Sequence, residues 1–132
     1  LRQIVKRDGQ NLRNMNVAVL GMAYKEGVND ARRSPATQLA SQLVQSAKQV
    51  AIHDPYVDLD TIHINGVTKL TSLSESLEFA DVIFIATAHD AYLELTPKVV
   101  TAANVTYVFD GRNCLDGTRF TANGIVYAGI GV

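Results

Sequence analysis

Apolar residues follow two rhythms along this chain. Val17 to Leu20, Val50 to His53 and Thr106 to Phe109 read as short strands, and Val82 to Ala86 is the clearest of them. Its run of Val, Ile, Phe, Ile and Ala lacks the polar alternation of a half-exposed strand and predicts one covered on both faces of a parallel sheet. Between the first two strands, Ala36, Leu39, Ala40, Leu43, Val44 and Ala47 recur at helical spacing as one apolar stripe. Ser34-Pro35 opens that helix with a capping hydroxyl and a proline at the first position.

Weaker signals fill in the rest. Val67 to Leu70 predicts a short edge strand, and "SLSE" at Ser72 to Glu75 is a capping-box pattern opening a helix that ends near Ala80. Thr96-Pro97 repeats the helix-start device, and Ile125 to Ala128 is a last strand after the Asn123-Gly124 turn. Strands alternating with helices predict an α/β fold with a mostly parallel sheet and right-handed crossovers. Ligands of such sheets bind beyond the carboxyl ends of the strands. Here those ends are Gly21 to Lys25, His53-Asp54, Thr87 to Asp90, and Asp110 to Arg112.

Composition narrows the field. The 132 residues suit one domain, and 47% hydrophobic residues are ample for one core. Twelve Lys and Arg balance thirteen Asp and Glu, so no overall basic field attracts nucleic acid and any anion site must be local. The single cysteine, Cys114, allows no internal disulfide, and no signal peptide is evident, which makes a reducing cytoplasm the expectation. Apolar runs fall far short of the roughly 20 residues that a membrane span needs, so no membrane partner is expected. The chain opens at Leu1 with the polar stretch "LRQIVKRDGQNLRN", so residues 1–15 are expected to be a connecting segment from a longer chain and residues 16–132 the domain itself.

The loop "GMAYKEGVNDARRSP", residues 21 to 35, occupies the place of a nucleotide-phosphate cradle, yet its glycines are not spaced as G-x-G-x-x-G. Lys25 after the first strand and Arg112 after a later one could converge on an anion, and a compact ammonium with a planar guanidinium suits a diphosphate. The same two cations could equally be surface partners of Asp30 and Asp110. Arg32 lies one turn's reach from a helix start, a place that favours anions, whereas Asp30 and Arg33 fit structural roles in the loop. His53, His63 and His89 do not form a metal-ligand set by spacing, Cys114 fits packing better than nucleophilic attack, and Asp110 and Asp116 fit turn chemistry. The residues alone therefore describe an anion-binding α/β domain without visible catalytic machinery.

The same loop resembles the G-x-[AS]-[FY]-K-x-x-T-D-D-x-R-x-S-P signature of the C-terminal domain of the UDP-glucose/GDP-mannose dehydrogenase family. "VAIHDPYV" at 50 to 57, "ADVIFIATAHDAYLEL" at 80 to 95, "VFDGRNCLDG" at 108 to 117 and the terminal "GIVYAGIGV" are similar to further family stretches in the same order, from about Asn16 onward. The resemblance implies a Rossmann-like three-layer sandwich. It also implies a role in an enzyme that oxidises the C6 alcohol of a nucleotide sugar to a carboxylate with two NAD, through a catalytic cysteine. By matching position, Tyr24, Lys25 and Arg112 would contact the UDP-sugar, and Arg32 would reach NAD held mainly by an N-terminal domain. Neither the family's cysteine segment nor a dinucleotide fingerprint is in this chain, so the fragment alone is expected to be inactive. Its expected partners are the N-terminal and central domains of the same enzyme, within a homodimer or larger homo-oligomer. Val28-Asn29 replaces Thr-Asp of the signature, and "DGRN" favours UDP over GDP. The competing expectation is a stand-alone nucleotide-binding or regulatory module of the same fold, which an upstream G-x-G-x-x-G and cysteine motif would exclude.

Overall fold

A computed structural model describes residues 11–23 and 34–129. Six strands form one sheet: β1 (Asn16–Leu20), β2 (Gln49–His53), β3 (Val67–Lys69), β4 (Val82–Ile85), β5 (Tyr107–Asp110) and β6 (Val126–Gly129). Their order is β3-β2-β1-β4-β5-β6, and every pairing is parallel. The order reverses between β1 and β4, which creates a crevice at their carboxyl ends.

β1 divides the core. Val17 and Val19 face one layer with α1 (Pro35–Val44), while Ala18 and Leu20 face another with α2 (Leu73–Phe79), α3 (Asp90–Leu93), α4 (Pro97–Ala102) and α5 (Gly117–Ala122). This is the three-layer α/β arrangement of a Rossmann-like fold. Within the opening segment, Leu12 and Met15 are buried in the α1 layer. The helix-start devices are in place. Ser34 Oγ accepts from the Ala36 N–H at 3.2 Å and Thr96 Oγ1 from the Val99 N–H at 3.3 Å. Ser72 Oγ accepts from the Glu75 N–H at 3.0 Å, while the Glu75 carboxylate closes the box on the Ser72 hydroxyl instead of its backbone.

Two differences from the periodic reading have clear causes. α1 ends at Val44, so Ala47 of the stripe packs from the turn before β2. The helices α3 and α5 carry no periodic signal because each is short and buries one large side chain, Tyr92 and Phe120 respectively. For α5, Asp116 is the N-cap: it accepts from the Thr118 N–H at 3.2 Å, so the expected turn chemistry starts a helix.

Candidate functional site

The described part of the β1 loop is Gly21-Met22-Ala23, and it leaves the sheet in unusually close contact with the end of β4. Gly21 has φ of +100°, and a Cβ there would stand 2.5 Å from Thr87 Cβ and 2.8 Å from the Thr87 backbone nitrogen. Only glycine accepts both conditions. The Thr87 hydroxyl donates to the Ala23 carbonyl at 3.1 Å, and the Ser34 hydroxyl donates to the same oxygen at 3.3 Å. The two ends of the 24–33 segment are thereby tied together.

A second fastening comes from β2. The Asp54 carboxylate is buried and accepts five hydrogen bonds. Oδ2 takes Met22 N–H at 2.7 Å, Ala23 N–H at 2.9 Å and His89 Nε2 at 2.9 Å, while Oδ1 takes Tyr56 N–H at 2.8 Å and Val57 N–H at 2.9 Å. Burial pushes its pKa up, but the donors outweigh that and hold the carboxyl below its ordinary range. With Asp54 ionised, His89 Nε2 carries the proton it donates. Beside this pair, the Tyr92 hydroxyl donates to the His53 carbonyl at 3.0 Å and lies 2.8 Å from His53 Nδ1, which assigns the proton to Nδ1. Burial lowers the His53 pKa, and nearby His89 adds to that against the opposing pull of Asp54. The spacing argument set His53 and His89 on separate strand ends. Because β2 and β4 both flank β1, the fold brings those ends into one hydrogen-bonded network.

Arg112 follows β5 on the same edge. Its backbone N–H is held by Asp110 Oδ1 at 3.1 Å, and its guanidinium Nε donates to the Ala86 carbonyl at 3.0 Å. Asp110 is otherwise occupied by the Tyr127 hydroxyl at 2.6 Å, the Leu115 N–H at 2.8 Å and the Cys114 thiol at 3.4 Å. Among the described residues, then, the Arg112 side chain is oriented by a carbonyl and not by an ion pair with Asp110. Burial raises the Asp110 pKa, and these donors reverse the shift to below the usual value. Burial, then the Asp110 charge, pushes the Cys114 thiol up to about 12, which fits a packed thiol and not a nucleophile.

Between these loops lies a cavity of about 280 Å³ lined by Ala23, Ser34, Leu39, Phe84, Ala86 and Arg112, among others. Most of its lining is apolar, with Phe84 stacked against Phe109 at 6.2 Å between ring centres, and Arg112 adds a cation to it. Among the described residues the start of α1 does not fit a dinucleotide pyrophosphate. Pro35 has no N–H, the Ala36 N–H is taken by Ser34 Oγ and the Thr37 N–H by the Ser34 carbonyl. Of the expected site residues, Arg112 is at the cavity, while Tyr24, Lys25 and Arg32 lie outside the described residues. The carboxylate that fastens their loop, Asp54, was missed because Asp54-Pro55 reads locally as a turn. The available signal was its position at the end of a strand next to β1.

Residues 18–117 match the UDP-glucose/GDP-mannose dehydrogenase family, UDP binding domain. The UDP-N-acetyl-D-mannosamine dehydrogenase of Pyrococcus horikoshii is 34% identical over 116 residues, 87% of this chain and 25% of the relative. A UDP-glucose 6-dehydrogenase of Rickettsia typhi is 29% identical over 126 residues, 92% of this chain and 29% of the relative. The crystal structure of an NDP-N-acetyl-D-galactosaminuronic acid dehydrogenase from Methanosarcina mazei matches with a TM-score of 0.86 at 30% identity, covering 98% of this chain and 27% of that one. The chain thus spans about a quarter of the length of these relatives. It belongs to the UDP-glucose/GDP-mannose dehydrogenase family and corresponds to the UDP binding domain of that family.

Proposed function

We propose that this domain holds the nucleotide of a UDP-sugar for an NAD-dependent UDP-sugar 6-dehydrogenase, which oxidises the sugar C6 alcohol to a carboxylate while two NAD are reduced. Tyr24, Lys25 and Arg112 contact the UDP-sugar, Lys25 and Arg112 neutralising its diphosphate. Arg32 reaches toward NAD, which the remainder of the enzyme holds. The catalytic cysteine also belongs to that remainder, so this chain binds and orients and performs no chemistry by itself.

The observation that carries the reading is the cavity beside the β1/β4 reversal, lined in part by Arg112, whose guanidinium donates to the Ala86 carbonyl. A fixed planar cation in a mostly apolar lining suits a nucleoside diphosphate, whose charged and apolar ends need different walls. Titrating the chain with UDP, followed by calorimetry or amide chemical shifts, tests it. Binding is expected to weaken at least tenfold in Arg112→Ala and in Lys25→Ala, consistent with loss of a charge-assisted contact. Equal affinity in all three proteins would remove the site assignment. GDP, run alongside, is expected to bind less tightly than UDP.

A further inference from the structure

Arg112 is aimed by its backbone as well as by the Ala86 carbonyl, and that backbone hangs on one buried carboxylate. Gly111 passes so close to the end of β4 that its N–H reaches the Ile85 carbonyl at 2.9 Å, and a Cβ there would stand 2.8 Å from the same oxygen and 3.2 Å from the Phe84 ring. This passage brings Arg112 within reach of the Ala86 carbonyl, to which its Nε donates at 3.0 Å. Asp110, fully shielded from solvent, then gathers the loop. Its Oδ1 accepts from the Arg112 N–H at 3.1 Å and the Cys114 thiol at 3.4 Å, and its Oδ2 from the Leu115 N–H at 2.8 Å and the Tyr127 hydroxyl at 2.6 Å. Arg112, Cys114 and Leu115 follow Asp110 in its own loop. Among the described residues, only Tyr127, on β6, brings a donor to this carboxylate from another element.

We propose that Tyr127 is a positioning residue for the nucleotide diphosphate, acting through Asp110 on the backbone of Arg112; this rests on the functional reading above. The Asp110 backbone is fixed in β5, but its carboxylate still turns about two side-chain torsions. Donors from its own loop move with that loop and restrain the turn weakly. The Tyr127 hydroxyl is anchored independently, because its ring stacks on Phe120 at 5.9 Å between ring centres and lies against Gly117, where a Cβ would collide with it. Burial, then the Asp110 carboxylate, raises the Tyr127 pKa, so the hydroxyl keeps the proton it donates. With Oδ2 pinned, Oδ1 faces the Arg112 N–H. That bond, at 3.1 Å, is longer than the one to the Leu115 N–H at 2.8 Å and is the first to yield when the carboxylate turns.

Tyr127→Phe removes the hydroxyl while keeping the ring that packs on Phe120 and Gly117. UDP is the probe, titrated into the 132-residue chain and its variants, with the folded fraction checked by circular dichroism. Tyr127→Phe is expected to weaken UDP binding about fivefold. Exchange of the Arg112 Nε–H with solvent should accelerate in the same variant, while the amide of Ile83, in the middle of β4, keeps its rate.

Coupling separates positioning from general loosening. Arg112→Lys keeps a charge, so binding stays measurable, but it lacks the Nε–H that Ala86 orients, and its flexible ammonium depends little on the exact course of the backbone. In that background Tyr127→Phe should cost less than about twofold. The same fivefold loss in both backgrounds, or a Tyr127→Phe protein that binds UDP within about twofold of wild type, overturns the proposal and leaves the UDP site standing. A wild-type chain that does not bind UDP refutes the site and this inference together.

Discussion

Replacing Gly21 by alanine separates two kinds of strain that coincide where the chain leaves β1. A methyl at this position would lie 2.5 Å from Thr87 Cβ and 2.8 Å from the Thr87 backbone nitrogen, where carbon contacts settle near 3.5 to 4.0 Å. The second contact is with backbone, so no rotamer change relieves it. The φ of +100° adds a dihedral penalty of roughly 1–2 kcal/mol, and the overpacking adds about 1–3 kcal/mol. A total near 3 kcal/mol should lower the melting temperature by about 12 °C at this chain length. Gly124 supplies the internal control, because its φ is +80° but nothing lies within 4 Å of a Cβ there. Gly124→Ala should therefore show the dihedral part alone, about 4 °C. Thermal denaturation of both variants by circular dichroism measures the difference. If Gly21→Ala melts no lower than Gly124→Ala, the close passage of the β1 loop over β4 is not the constraint described above.

Other outcomes follow from the same contacts. Tyr127→Phe removes the 2.6 Å hydrogen bond to Asp110 and should destabilise the chain by about 1.5 kcal/mol in urea unfolding, the scale of a bond to a charged partner. Cys114, with its thiol pushed up to about 12, should react with a thiol-specific reagent at pH 8 far more slowly than free glutathione does; comparable rates would contradict its burial beside Asp110. The lowered carboxyls of Asp54 and Asp110 make the unfolded state the better proton binder just below the ordinary value of 3.8. The stability they contribute is complete above that pH and is lost as pH falls through their depressed folded values, and Asp110→Asn should flatten the decline. His53 has the same sign from a higher start, so part of the stability present above pH 6.5 should drain away as pH falls through its depressed value, and His53→Asn should reduce that slope.

Local chemistry made much of this fold legible. Val82 to Ala86 announced a strand buried on both faces, and Val82–Ile85 is the strand at the centre of the sheet beside β1. Ser34, Ser72 and Thr96 announced helix starts because a capping hydroxyl acts within three residues. Helices α3 and α5 escaped notice because a helix of one or two turns anchored by a single Tyr92 or Phe120 leaves no repeat to detect. For the site, the sequence pointed to Arg112 through its place after a strand, and the structure added the Ala86 carbonyl that orients it, 26 residues away.

The contrast at Asp54 marks the boundary. Periodicity, capping and turn residues report interactions among near neighbours, and they were enough for the strands and the main helix. They could not reveal that Asp54 accepts the Met22 N–H from 32 residues away and His89 Nε2 from 35 residues away. Those meetings depend on β2 and β4 lying on either side of β1, an order set by the packing of two core layers rather than by any short segment. A residue that reads as half of an Asp-Pro turn thus becomes, once the strands are ordered, the fastening of the loop proposed to hold the nucleotide.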